Sequence, residues 1–413
     1  MRARARERVY LVGVANRATP RSLAEEHLDE LARLAETAGG EVVGRFVQER
    51  ASPDPATYIG KGAAEKLGQT AEAERADLVV FDDELTPGQA RNLEERWGGA
   101  LRVLDRPGLI LDVFATHARS REARTQVELA QLQYLLPRLA GRYRHLSGLG
   151  GGIGARGGAG EQKLELDRRK IRDRIARLRR DLEKIDTARA VRRRGRKRVF
   201  QVAIAGYTNA GKTTLYNRLT RESAYAADRL FATLDARAAR GASAGLSGTV
   251  FLDTVGFVRK LPTSLVASFR STLAEIRDAD LVVHVLDASS PRVDEERLVA
   301  QEVLEELGVP SERILPVWNK IDAAGPVRPR EELHVSALTG DGLPALERAI
   351  LGRARPEPER FRLLIPYRDA RVIAAARAAF RVVKEQDTGD ALSLELAGEK
   401  RLLGPFRPYL AGS

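Results

Sequence analysis

The sequence predicts a multidomain α/β protein. Its expected parts are an amino-terminal α/β domain, a long antiparallel helical hairpin, a doubly wound and mostly parallel α/β domain, and a small α+β carboxyl-terminal domain. Three observations predict this order. Apolar runs and helical stretches alternate over residues 1–125; two arms with apolar residues at steps of three and four flank a glycine-rich segment; and a fresh strand–helix alternation begins at residue 199. The expected boundaries are 1–125, 126–198, 199–355 and 356–413.

In the first part, apolar runs at 9–14, 41–47, 78–81 and 101–104 read as strands. Between them, 23–38, 63–74 and 87–97 carry helical spacing. That rhythm argues for a small, mostly parallel sheet with helices against it. No phosphate-loop pattern lies here.

Leu129, Leu132, Leu136 and Leu139 in one arm, and Ile171, Ile175, Leu178, Leu182 and Ile185 in the other, make a coiled-coil seam. Residues 147–160 between the arms are too rich in glycine to be helical, so they form the tip of a hairpin. At ~1.5 Å per residue, the arm at 164–198 reaches roughly 40–50 Å. Residues 161–198 hold 17 Lys and Arg against 7 Asp and Glu, most of the chain's net charge of +12. Such a block points to a polyanion partner, nucleic acid or an acidic membrane. The plainer alternative is a solvated helix face of mixed charge.

The tail, after Pro356-Glu357-Pro358, reads strand 361–365, helix 370–383, strand 391–396. No apolar run approaches the roughly 20 residues needed to span a bilayer. The basic first residues lead into a strand and not a signal-peptide core, so a cytoplasmic location is expected. The absence of cysteine excludes disulfides and thiol chemistry.

The chemistry is concentrated in the third part. After the strand ending at Ala205 come Gly206-Tyr207-Thr208-Asn209-Ala210-Gly211-Lys212-Thr213-Thr214 and the start of an apolar helix. This is the pattern GxxxxGK followed by Thr, in the strand–loop–helix context it requires. Backbone N–H groups and the helix N-terminus receive phosphate oxygens; Lys212 brings charge to the β- and γ-phosphates, and Thr213 is placed to ligate Mg²⁺. Asp253-Thr254-Val255-Gly256 ends the strand at 249–252. Asp253 can hold Mg²⁺ through water, and the Gly256 amide can meet the γ-phosphate. Between them lies Phe231-Ala232-Thr233-Leu234-Asp235, where Thr233 is the candidate switch threonine and a further metal ligand. Base identity comes from Asn319-Lys320-Ile321-Asp322, because a carboxylate accepts two hydrogen bonds that guanine offers and adenine does not. Ser336-Ala337-Leu338 follows, with the Ala337 amide facing guanine O6. These residues predict a GTP/GDP site and a GTP hydrolase, with Lys212, Thr233 and Gly256 as its catalytic groups.

The position after Gly256, where a water-orienting glutamine would stand, holds Phe257. Slow turnover that needs an activating partner is therefore expected. Asn209 admits two readings, a K⁺ ligand beside the phosphates or a brace for the loop.

With these stretches in view, the chain resembles the HflX family of translation-factor-related GTPases over nearly its full length. The resemblance rests on residues 206–215, Leu230-Phe231-Ala232-Thr233, Asp253 to Phe257 and Asn319 to Asp322. It rests equally on amino-terminal stretches that a generic GTPase would lack: Tyr58-Ile59-Gly60-Lys61-Gly62, residues 82–94, residues 104–112, and residues 126–134. It implies a chain that binds the large ribosomal subunit and its rRNA, is activated there, and splits stalled ribosomes under stress; a soluble monomer with no DNA partner is expected alongside. The hairpin tip would then reach the peptidyl transferase region, with Tyr143 and His145 near it. Departures are Thr213 where the family commonly has serine, Ala155-Arg156 in the tip, and Asp235-Ala236-Arg237 in the switch segment. A GTP-switched large-subunit assembly factor without splitting activity is the competing reading. Of the histidines, His284 reads as a satisfied core residue.

Overall fold

The computed structural model describes residues 6–142, 159–196, 199–223, 231, 237–260, 270–324, 332–354, 359–398 and 400–411. The glycine-rich segment up to residue 158, Tyr143, His145, Thr233 and the Pro356-Glu357-Pro358 break lie outside them. Two compact units, Met1–Gly342 and Leu343–Ser413, divide the chain.

The first unit opens with a four-stranded sheet, every pair parallel, in the order β2-β1-β3-β4. Its strands are β1 (Arg8–Ala15), β2 (Glu41–Glu49), β3 (Leu78–Phe81) and β4 (Arg102–Asp105), joined by helices α1 (Arg21–Thr37), α2 (Lys61–Ala73) and α3 (Pro87–Arg96). Alternate residues of β1 serve two cores. Val9 and Leu11 pack with leucines of α1, whereas Tyr10, Val12 and Val14 pack with Leu67 of α2 and Leu93 of α3. A sheet buried on both faces is what the near-continuous apolar runs require.

A helix that the sequence did not announce follows, α4 (Arg106–His117). Asp105 caps it, accepting from the Gly108 N–H at 3.0 Å, and Pro107 opens its first turn. Its first six residues, Arg106 to Leu111, are all buried, so no amphipathic period marks its start. α5 (Arg121–Arg142) and α6 (Ala159–Arg196) then pack along the expected seam, with Leu129, Ile175 and Leu178 buried and Leu132, Leu136, Ile171 and Leu182 beside them. Arg174 grips both carboxylate oxygens of Glu128 at 2.6 and 2.7 Å across it. α6 begins at Ala159, so the last glycine of the expected tip is already helical.

Six strands form the next sheet, in the order β10-β9-β8-β5-β7-β6. They are β5 (Phe200–Gly206), β6 (Arg237–Arg240), β7 (Thr249–Asp253), β8 (Leu281–Asp287), β9 (Ile314–Asn319) and β10 (Leu333–His334). All pairs are parallel except β6 with β7. Helices α7 (Lys212–Thr220), α8 (Arg270–Asp278) and α9 (Val293–Glu306) belong to this doubly wound layer. One continuous core joins it to the first layer: Phe231 meets Phe114 of α4 edge to face at 4.7 Å.

The second unit contains α10 (Leu343–Ala354), α11 (Ala370–Ala379) and an antiparallel sheet β11-β13-β12, from β11 (Glu359–Pro366), β12 (Arg381–Asp387) and β13 (Ala391–Gly398). The expected helix over 370–383 stops at Ala379. Phe380 turns extended, with φ −132° and ψ 154°, and packs on Phe361 and Phe406, which sends Val382 and Val383 into a third strand. Among the described residues, no helix is long and apolar enough to cross a membrane.

Candidate nucleotide site

The site lies at the carboxyl ends of β5, β7, β8 and β9, where loops leave the parallel strands. β5 runs buried into Gly206, and the chain turns through Asn209, at φ 63°, and Gly211, at φ 89°, into α7. A Cβ on Gly211 would collide with Asn319 Nδ2, so glycine is required both for the backbone angle and for the close approach. The first turn of α7 has no side-chain cap. Its N–H groups therefore suit an anion.

Lys212 is buried and donates to the Tyr207 carbonyl at 2.7 Å. Burial pulls its ammonium down to about 8; Asp253 opposes that shift and Lys320 adds to it. The Thr213 hydroxyl donates to Asp253 Oδ2 at 3.0 Å, and the Thr254 hydroxyl braces the Ile204 carbonyl at 2.7 Å. Two backbone bonds zip the next residues onto the phosphate loop, Thr208 N–H to Phe257 O at 2.7 Å and Phe257 N–H to Gly206 O at 3.0 Å. A Cβ on Gly256 would lie 2.9 Å from Lys212 Nζ, so this glycine closely abuts the lysine. The Phe257 ring is buried in the core, and as a hydrocarbon it can orient no water.

Asn319 knits the two halves together. Its amide donates to the Ala210 carbonyl at 2.8 Å, and its Oδ1 accepts the Ala337 N–H at 2.9 Å. The Ala337 amide, expected at a guanine O6, is thus engaged with Asn319 in this structure. Lys320, at φ 61°, pairs with Asp287 Oδ2 at 2.7 Å. The Ser336 hydroxyl donates to Asp322 Oδ1 at 2.5 Å and accepts the Thr339 N–H at 3.0 Å. The structure therefore brings residues 206–214, 253–257, 319–322 and 336–338 together. It sends the Phe231 side chain elsewhere, into the core on Phe114, because an aromatic ring gains more from burial there than at a solvated loop.

Three partners escaped the sequence reading. Asp287 ends β8 and holds Lys320. Arg218, on the outer face of α7, donates to the Ala337 carbonyl at 2.9 Å and to the Leu338 carbonyl. Glu30, in the first layer, accepts the Tyr207 hydroxyl at 2.6 Å. Only Asp287 left a signal, an acidic residue closing an apolar strand. Trp318 donates its indole N–H to Glu332 and stacks on His334 beside the base-reading loop. His284 is buried as expected, yet its Nε2 has no hydrogen-bond partner, and burial pushes its pKa down to about 4.

The sequence matches known proteins over most of its length. Residues 25–115 match a family profile described as "GTP-binding GTPase N-terminal", 117–196 one described as "GTP-binding GTPase Middle Region", and 201–320 one described as "50S ribosome-binding GTPase". GTPase HflX of Caldanaerobacter subterraneus is 44% identical over 95% of this chain and 91% of its own length. GTPase HflX of Escherichia coli K12 is 42% identical over 84% of this chain and 83% of its own. Among solved structures, a GTP-binding protein from Sulfolobus solfataricus in complex with GDP is 25% identical, with a TM-score of 0.43, over 84% of this chain and 98% of that one. With whole-length relatives at this level of identity and a complete phosphate-loop layer in the fold, the chain belongs to the HflX GTPase family and is an enzyme that binds and hydrolyses GTP.

Proposed function

We propose that the chain is a cytoplasmic, magnesium-dependent GTPase that binds the large ribosomal subunit and splits stalled or idle ribosomes under stress. The observation that carries this reading is a pairing within one unit. A G layer whose water-orienting position is filled by buried Phe257 follows in sequence a 38-residue basic helix. The first property calls for outside activation, and the second supplies a surface for an RNA polyanion. The match of residues 201–320 to a family profile described as "50S ribosome-binding GTPase" supports the same partner.

In this reading Lys212 grips the β- and γ-phosphates, Gly256 meets the γ-phosphate and Asp322 reads guanine. The Thr208 hydroxyl, buried without a hydrogen-bond partner, is a polar atom whose desolvation a phosphate oxygen would offset. The adjacent oxygens of Thr213 and Asp253 form a hard-donor set that fits Mg²⁺. When bound, the ion would neutralise charge on those phosphates.

The test is GTP turnover with and without large ribosomal subunits, at low and high salt, with gradient analysis of intact ribosomes. Activation that fades as salt rises, with free subunits released, is expected. Activation without subunit release would identify an assembly factor, and no activation would end the ribosomal reading.

A further inference from the structure

Two of the loops that form the nucleotide site, the phosphate loop and the segment after Gly256, are tied to the first layer through a buried cluster of opposite charges. From the first layer come Glu30 of α1, Asp82 and Asp83 after β3, and Arg106 of α4. From the G layer come Tyr207 of the phosphate loop, and Arg259 and Lys260 shortly after Gly256. The Tyr207 hydroxyl donates to Glu30 Oε2 at 2.6 Å and accepts the Arg259 N–H at 3.0 Å. The Arg259 guanidinium reaches the same Glu30 oxygen at 3.2 Å. Arg106 pairs with the other Glu30 oxygen, donates to Asp82 Oδ1 at 2.6 Å, and donates to the Arg259 carbonyl at 3.2 Å. Lys260 Nζ lies 2.6 Å from Asp82 Oδ2 and 2.5 Å from Asp83 Oδ1. Glu30, Asp82, Arg106, Tyr207 and Arg259 are all buried. Burial alone would raise the Glu30 carboxyl, but Arg106 and Arg259 hold it below the usual range, so it stays charged.

Such a cluster resists small displacements, since moving one member leaves its partners buried and uncompensated. The segment it holds begins at Gly256, which abuts Lys212. A third phosphate between Lys212 and the Gly256 amide must push that segment outward, against the grip of Glu30 on Arg259. A diphosphate makes no such demand.

We propose that Glu30 is a positioning residue for the GTPase reaction: through Tyr207 and Arg259 it fixes the segment after Gly256 against the phosphate loop and so sets the discrimination between GTP and GDP. This rests on the reading of Gly256 as the γ-phosphate contact.

The experiment measures affinities of the full chain for GDP and a non-hydrolysable GTP analogue. Glu30→Gln keeps the size and an acceptor but removes the charge, and Tyr207→Phe removes only the hydroxyl. Each is expected to shift the affinity ratio toward the analogue by about fivefold or more, the scale of one charge-assisted hydrogen bond. The double variant should do little more than the stronger single one, because the groups act as a unit. A merely structural role would weaken both nucleotides together, and an unchanged ratio in either folded variant overturns the proposal. If Glu30→Gln does not fold, Tyr207→Phe decides alone. If Gly256→Ala binds the analogue as tightly, relative to GDP, as the unaltered chain does, the γ-phosphate reading itself falls, independently of Glu30.

Discussion

Lys212 is an ammonium held where burial disfavours its charge. With its pKa drawn down to about 8, it is partly neutral in the free protein above that value, whereas bound phosphates require it protonated. Binding above pH 8 must therefore take up a proton. GDP affinity should hold steady from pH 6.5 to 7.5 and fall by up to about tenfold between 8 and 9; a flat titration over that range would contradict the burial argument. His284 carries the opposite burden. Burial, with Arg297 and Lys212 adding and Glu332 opposing, holds it at about 4, below the ordinary 6.5. Between those values the unfolded chain binds a proton that the folded chain refuses, so stability falls as pH drops from 6.5 towards 4 and levels below that. At about 1.4 kcal/mol per unit over about 2.5 units, the loss is about 3 kcal/mol. His284→Leu should flatten the difference in urea-unfolding stability between pH 6.5 and 4.5, and equal slopes would sink the assignment. The site residues named from sequence share one property that made them legible: each sits at a fixed offset from a strand end within a short motif. Glu30 and Arg218 were illegible because their partners, Tyr207 and the carbonyls of 337–338, lie far along the chain, and only folding brings them close.

At the scale of elements, periodicity was readable where one face is wet and the other dry. α1, α5 and α6 show it, and the structure returns them with small changes at their ends. α4 lacks a wet face over its first turns, and β6 is a short edge strand of Arg-Ala-Ala-Arg with no apolar alternation, so neither could be found by pattern. What positions α4 is Asp105, which is buried and accepts four donors. These are Leu85 N–H and Gly108 N–H at 3.0 Å each, the Tyr134 hydroxyl at 2.6 Å and Arg138 Nη2 at 2.7 Å. One carboxylate thus caps α4 and pins α5, the first arm of the hairpin, to the end of β4. Asp105→Ala would strand two buried N–H groups and a cation. It should cost about 3–5 kcal/mol in urea unfolding, and Tyr134→Phe, which removes one donor, only about 1 kcal/mol. Equal costs for the two would show that the carboxylate is not the organising group.

Across the molecule, the order of parts was legible because glycine, proline and charge punctuate the chain. The union of the first layer with the G layer was not, since a core shared by residues as distant as Leu28, Phe114, Phe231 and Leu273 leaves no local trace. That union matters for the partner. α6 leads directly into β5, so an anion drawn to the helix is drawn to the same unit that holds the nucleotide. Arg177, Arg179 and Arg180 lie exposed on α6, clear of the Leu178 seam. If the helix tracks an RNA backbone, each phosphate contact contributes roughly 0.7–0.9 to the slope of log affinity against log salt. Replacing the three arginines with glutamine should lower the slope for large-subunit binding by about 2, while urea unfolding of the free protein changes by less than about 1 kcal/mol, as for exposed positions. A solvated face of mixed charge predicts the other result, the same slope with and without the arginines, and that outcome would move the polyanion contact off this helix.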